Sequence, residues 1–301
     1  MGCISYSSGS FLASSGSFQR DVVSRMTPIS FEEGWLVMQV GINKMIKHLE
    51  GGLDQPFTDE QTMRLATNMY TMCNQKAPHD LSELLYPKYL AVCKEFAIRS
   101  LALVQALESE DLLFAMCQRW KDQQSLVKWL SSFMSTLNRH YVVHHCLLPL
   151  QDAGLTFFRD LVYSAMKVQA RDAVLRLIER EQEGEDVNHT LIKSVVSMFV
   201  EVGLGSMDCY TQDLEELMLE ATVEYYQKKV DGWVEQAWPQ EQMFEAEEHL
   251  RLEGRRLEGR RAHLYMHTSS EAKLLQCIGQ GIRPESQHGV RFERSGLSAL
   301  N

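Results

Sequence analysis

Cysteine is sparse in this chain of 301 residues, and the seven present are scattered. Cys3, Cys73, Cys93, Cys117, Cys146, Cys209 and Cys277 form no Cys-x-x-Cys pair, and an odd number excludes a fully paired disulfide framework. Such spacing predicts reduced thiols and hence a cytoplasmic and nuclear protein. No apolar run approaches the roughly 20 residues that a membrane-spanning helix needs. No run of five or more basic residues interrupts the formal net charge of −10. That surface repels phosphate backbones, so nucleic acid is not expected as a partner.

Catalytic signatures are missing as well. There is no phosphate-binding Walker loop, no Gly-x-Ser-x-Gly elbow and no His-Glu-x-x-His zinc motif. Gly203-Leu-Gly205 lacks the third glycine and preceding strand of a dinucleotide loop, and reads as a helix C-cap. His144-His145-Cys146 invites a metal, but adjacent helical residues point about 100° apart and cannot share one ion without distortion. His263 and His267 are four apart with no third ligand beside them, and the acidic stretch from Glu241 to Glu248 reads as a solvated helix face. The expectation is a chain with no catalytic residues, no metal and no cofactor.

What is abundant is helical periodicity. Hydrophobic residues make up 45% of the chain and charged residues 23%, an ordinary globular balance. Ser30-x-x-Glu33 and Thr58-x-x-Gln61 are capping boxes, in which hydroxyl and N3 side chain each satisfy an orphan backbone N–H. The first opens a helix with the stripe Trp35, Met38, Ile42, Met45, Ile46 and Leu49, closed by Gly51-Gly52. The second opens a helix running to about Asn74.

Asp80-x-x-Glu83 opens a third helix carrying Leu84, Leu85, Val92 and Phe96, with Pro87 marking a kink or a later start. Ser109 caps a fourth helix with Leu113, Met116, Cys117 and Trp120. A fifth is predicted from about Gln123, bearing Leu126, Leu130, Phe133, Leu137 and Tyr141. Further helices are expected over 152–165, 167–182, 188–202, 211–229 and 239–267, with a short one from Ser270. No alternating strand pattern with hairpin turns competes. The fold class is all-α, an elongated stack of consecutive antiparallel helices.

The ends read differently. Residues 1–28 form a Ser-rich leader, expected to be disordered, whose Gly2 and Cys3 have the residue types for double acylation but whose sixth position is Tyr6 rather than Ser or Thr. Residues 279–301 lose apolar periodicity and read as an unstructured tail. Leu252-Glu-Gly-Arg-Arg256 repeats at once as Leu257-Glu-Gly-Arg-Arg261. A five-residue insertion turns a helix by about 140°, so the repeat breaks the packing phase unless it is looped out.

The second helix carries two apolar rows. Leu65, Met69, Met72 and Cys73 form one, assigned to the core; Met63, Ala66 and Tyr70 form another. A simple surface helix needs one row. A second implies burial on both sides or an exposed docking face.

A set of segments then falls into a familiar order: Phe31-Glu-Glu-Gly-Trp35 with Gly41-Ile42, Met69-Tyr-Thr-Met-Cys73, Leu137-Asn-Arg-His-Tyr141, and Gly154-Leu155 with Phe158-Arg-Asp160. Ala173-Val174, Leu177-Ile-Glu-Arg-Glu181, Phe199-Val-Glu-Val-Gly203, Ala246-Glu-Glu248 and Tyr265-Met-His-Thr-Ser-Ser-Glu271 continue it. Together they resemble the N-terminal stalk of an SCF-type cullin, plant-like, over residues 31–278. The resemblance implies two cullin-type helical repeats, 29–150 with the adaptor-binding tip and 151–278 behind it. It implies a non-catalytic ubiquitin-ligase scaffold in ubiquitin-dependent protein degradation. Its partners would be a Skp-family adaptor and, through it, F-box proteins.

In such cullins the second and fifth helices grip the adaptor, which here means residues 60–74 and 123–146. The implied contacts are Thr62, Met63, Ala66, Met69, Tyr70, Phe133, Leu137, Asn138, Arg139 and Tyr141. Tyrosines are usual in the family at positions 62 and 66, so two aromatic anchors of the contact are missing. The third repeat, the RING-binding domain and the modifiable lysine of the family have no counterpart in the sequence, so a RING protein is not an expected partner. A truncated stalk that competes with full-length cullin is the leading expectation; a helical tethering protein and an inert product of a broken gene are the alternatives.

Overall fold

The computed structural model describes residues 28–52, 56–75 and 80–236, together with Ser270 and Lys273. Every regular element among them is helical: α1 (Phe31–Leu49), α2 (Asp59–Asn74), α3 (Ser82–Val104), α4 (Ser109–Phe133) and the short α5 (Ser135–Leu137). Then follow α6 (Leu150–Phe157), α7 (Ser164–Gln182), α8 (His189–Val202), the single turn α9 (Asp208–Tyr210) and α10 (Glu216–Gln236). Three wider π turns are spliced in, over Asn138–Val142, Phe158–Tyr163 and Thr211–Glu215. The all-α expectation holds.

Both capping boxes form as read. Glu33 N donates to Ser30 Oγ at 3.2 Å while Ser30 N donates to Glu33 Oε2; Gln61 N donates to Thr58 Oγ1 while Thr58 N donates to Gln61 Oε1. Each cap of this type contributes about 1 kcal/mol. Gly51, at φ +83°, turns the chain out of α1, and Gly52 N donates back to Lys47 O at 2.8 Å. At the end of α8 the left-handed residues are Leu204 and Gly205 rather than Gly203, whose N–H still caps Val200 O.

Several boundaries differ from the sequence reading. The predicted fourth and fifth helices are one, because the polar run Asp122-Gln123 that suggests a break is buried. Gln123 Nε2 donates to the carbonyls of Cys93 and Gly154, so a polar residue sits inside with its donor satisfied. Likewise the chain from Leu150 to Gln182 stays helical where two helices were expected; the π turn Phe158–Tyr163 shifts the apolar phase without ending the coil. Helix α3 begins at Ser82 and carries Pro87 within it, and Asp80 Oδ1 accepts from Ser82 N instead of forming a box with Glu83. Leu84 lies exposed rather than on the buried stripe, and Val92, Met45 and Leu49 are half-buried. Ser109 is the first residue of α4, with φ +53°.

The described residues fall into two compact units. One draws on Met1–Phe96 and Asp122–Gly154. Its interior holds Met38 and Ile42 of α1, Leu65, Met69 and Met72 of α2, Leu85, Tyr89 and Phe96 of α3, and Leu126 and Leu130 of α4. The other draws on Ala97–Lys121 and Leu155–Asn301. There Trp120, Phe158, Tyr163, Phe199 and Tyr210 share one core, with Trp120 Nε1 donating to Glu201 Oε2 at 2.8 Å. The leader, the tail, the pentapeptide repeat, His263, His267 and the helix expected over 239–267 lie outside the described residues.

Candidate functional site

Helix α2 owes its orientation to two glycines on its neighbour. A Cβ on Gly34 would stand 2.5 Å from Met72 Sδ, and one on Gly41 would stand 2.8 Å from Leu65 Cδ1. Those glycines are seven apart on α1, and Leu65 and Met72 are seven apart on α2 in the opposite order. The two helices therefore run antiparallel and close, with the Leu65, Met69 and Met72 row set into the groove that the absent side chains leave. Asn68 Nδ2 fixes the register by donating to Gly34 O at 2.8 Å.

With that row turned inward, the second row faces out. Met63 is 68% exposed, and Ala66 and Tyr70 are half-buried. Thr62 is exposed, its hydroxyl donating to Thr58 O one turn back. Met63 of this row is therefore open, while Ala66 and Tyr70 are partly covered.

The other side of the site comes from the end of α4 and from α5. Trp129 of α4 meets Phe57, which precedes α2, at 5.4 Å between ring centroids, and Phe133 packs edge-on to Trp129 at 5.0 Å. Lys44 Nζ sits 4.8 Å over the Phe57 ring and donates to Gln61 Oε1. Further along, Cys73 of α2 lies against the backbone of Leu137, and burial pushes its thiol up to about 12. The N-terminal end of α2 is thus tied to α4, and its C-terminal end to α5.

Beyond α5 the π turn Asn138–Val142 widens the coil. Asn138 looks inward: its Oδ1 accepts from Leu150 N at 3.0 Å and so caps the start of α6. Arg139 and His140 are exposed, and Tyr141 is half-buried against two rings, His145 at 4.2 Å and Tyr86 at 6.1 Å. His145 Nδ1 donates to Tyr141 O at 3.0 Å. His144 stands edge-on to His145, and among the described residues no group of three or more histidine, cysteine, aspartate or glutamate side chains could hold a metal ion.

Thr62, Met63, Ala66, Tyr70, Phe133, Arg139 and Tyr141 are accessible in whole or part, and all belong to one unit. Met69 and Leu137 are 0% and 1% exposed, so they set the two elements in place and present nothing to a partner. Trp129 and Phe57 were missed. Trp129 lies one turn before Phe133 on the same helix face, a signal the sequence carries; Phe57 precedes a cap, where periodicity is silent.

A profile of known families matches residues 35–285 as a cullin alpha solenoid domain. The chain belongs to the cullin family. It is 39% identical over 275 residues to Cullin-1 of Oryza sativa subsp. japonica, covering 90% of this chain and 36% of that protein. A cullin-like protein of Arabidopsis thaliana is 36% identical over 283 residues, 92% of this chain and 74% of its own length. Cullin-like protein 3 of the same plant is 32% identical over 251 residues, 83% of this chain and 95% of the relative. Against Cullin-1 the cullin homology thus spans about a third of the relative's length. Cullins are scaffold subunits of ubiquitin ligases rather than catalysts. No described helix is long and apolar enough to cross a membrane.

Proposed function

We propose that this cullin chain is the adaptor-gripping part of a cullin-RING ligase scaffold. It holds a Skp-family adaptor, and through it F-box proteins, in ubiquitin-dependent degradation, without catalysing a step itself. The observation that carries the reading is the outward row of α2: Met63 stands 68% exposed on a helix whose opposite row is sealed against α1. Met63 and Tyr70 supply the apolar contact from α2; Phe133 with Trp129 and Tyr141 supply it from the neighbouring elements. Cytoplasm and nucleus are the compartments this role requires, and the described cysteines, all free thiols, accord with them.

Two aromatic anchors are replaced by Thr62 and Ala66, so the grip is weaker than the family's usual one. Anchors of that kind are each worth about 2 kcal/mol or more when truncated. Calorimetric titration of the chain with a recombinant Skp-family adaptor tests the assignment. Met63→Ala with Tyr70→Ala lowers affinity by about tenfold or more while leaving the melting temperature unchanged, and Thr62→Tyr with Ala66→Tyr raises affinity. An adaptor that binds neither the unaltered chain nor the tyrosine pair overturns the proposal.

A further inference from the structure

Helix α1 carries an apolar pair that its own packing does not use. Gly34, Met38, Gly41 and Ile42 are buried, whereas Leu36 and Val40 are each 67% exposed. At about 100° per residue these two lie within about 40° of each other, so they form one outward ridge. The exposed carboxylates Glu33 and Glu32 stand three and four positions before Leu36. The chain enters this helix at a fixed point. Gln75, just past the end of α2, accepts from Ile29 N at 2.7 Å and donates through Nε2 to Ile29 O at 3.2 Å. Ser30 then caps the helix.

The 27 residues before Pro28 lie outside the described ones, but their sequence has a pattern of its own. Phe18, Val22 and Met26 recur every four positions, with Gln19, Arg20, Asp21, Ser24 and Arg25 among them. That spacing predicts one apolar row on a nine-residue helix over 18–26. Ser17 stands at its N-cap position, and Thr27-Pro28 stops it, because a residue before proline disfavours helix. The pattern mirrors α1 about Ile29. Val22 and Leu36 both stand seven positions from Ile29, Phe18 and Val40 eleven, and Arg25 and Glu33 four.

From this match we infer that residues 18–26 fold back as a short helix on the outward ridge of α1. Both helices rise about 1.5 Å per residue, so an antiparallel hairpin turning at Ile29 keeps the register. Val22 then covers Leu36, Phe18 covers Val40, and the Arg25 guanidinium lies beside Glu33. A tethered segment suits the ridge better than a separate partner does. Two side chains fall far short of the roughly 800 Å² per partner of a stable interface. A segment on a short linker, by contrast, acts at an effective concentration in the mM range. A second copy is disfavoured further, since each brings a formal net charge of −10. The strap withdraws this face from other partners and braces α1 on the side away from α2. On this reading the disorder expected of the leader ends at Ser17. It stands whether or not the chain holds an adaptor.

Hydrogen exchange on the full chain tests it. So short a helix is marginal in water by itself, so protection of residues 18–26 reports docking. In the unaltered chain their amides are expected to exchange at least about tenfold more slowly than in a free peptide of the same sequence. Leu36→Ser with Val40→Ser, and separately Phe18→Ser with Val22→Ser, are expected to remove that protection while α2 keeps its own. Peptide-like exchange over 18–26 in the unaltered chain overturns the inference. Protection that survives the substitutions on α1 also overturns it, by placing the segment elsewhere. So does protection that falls on dilution while the chain sediments as a dimer, which gives the ridge to a second copy.

Discussion

Cys73, Cys93 and Cys117 each have thiols pushed by burial from 9.0 up to about 12. A thiol held neutral inside loses its proton more readily in the unfolded chain than in the folded one. The contribution to stability is therefore complete below pH 9 and is lost progressively as pH rises from 9 toward 12. Tyr89 and Tyr163, whose phenols are raised chiefly by burial, act in the same direction at the upper end. Urea denaturation at pH 8 and at pH 10.5 is expected to show lower stability at the higher value, and Cys93→Ala is expected to shrink the difference. Equal midpoints at the two pH values would contradict the burial of these groups. Burial of this kind was legible for Cys117, which lies on a heptad-like stripe with Leu113 and Trp120. It was not legible for Gln123, whose polarity argues for solvent until the carbonyls of Cys93 and Gly154 are placed beside it.

At the scale of elements, the capped starts of α1 and α2 were readable to the residue, while helices without such boxes were expected with boundaries that the structure shifts. The ends of α1 and α2 follow from boxes and from Gly51, which are local chemistry. The continuity of α4, and of the run from Leu150 to Gln182, depends on tertiary burial and on a π turn, neither of which leaves a periodic trace. Helix α2 shows the same division. That α2 has two apolar rows is plain from spacing, but which row faces inward is decided by Gly34 and Gly41 on another helix. Gly41→Val places methyl groups against Leu65 and is expected to cost about 1–3 kcal/mol, read as a lower urea midpoint with a matching loss of adaptor binding. If affinity survives while stability falls, the glycine pair does not aim the binding row.

On the scale of the whole molecule, one polar cluster joins distant parts of the chain. Glu215, 2% exposed in the π turn before α10, accepts from the Ser270 hydroxyl through Oε1 and from Lys273 Nζ at 2.8 Å through Oε2. Tyr210 and Ser270 hydroxyls are 2.8 Å apart. Ser270→Ala leaves a buried carboxylate oxygen short of a donor, at about 1–3 kcal/mol. Faster hydrogen exchange over residues 210–218 is the expected signature, and unchanged protection there would show that the cluster is dispensable. The spacing predicts a short helix from Ser270, but nothing in it pairs that serine with a carboxylate 55 positions earlier.

The pair of hydrogens that stand in for side chains on α1 has one more consequence, and it concerns inheritance. Because those two positions hold α2 from behind, substitutions at its exposed Thr62 and Met63 are expected to cost the fold little. A lineage can change the side chain at such an exposed position while the scaffold persists. Under the proposed role, partner preference is thereby open to drift and to selection independently of the architecture that displays it.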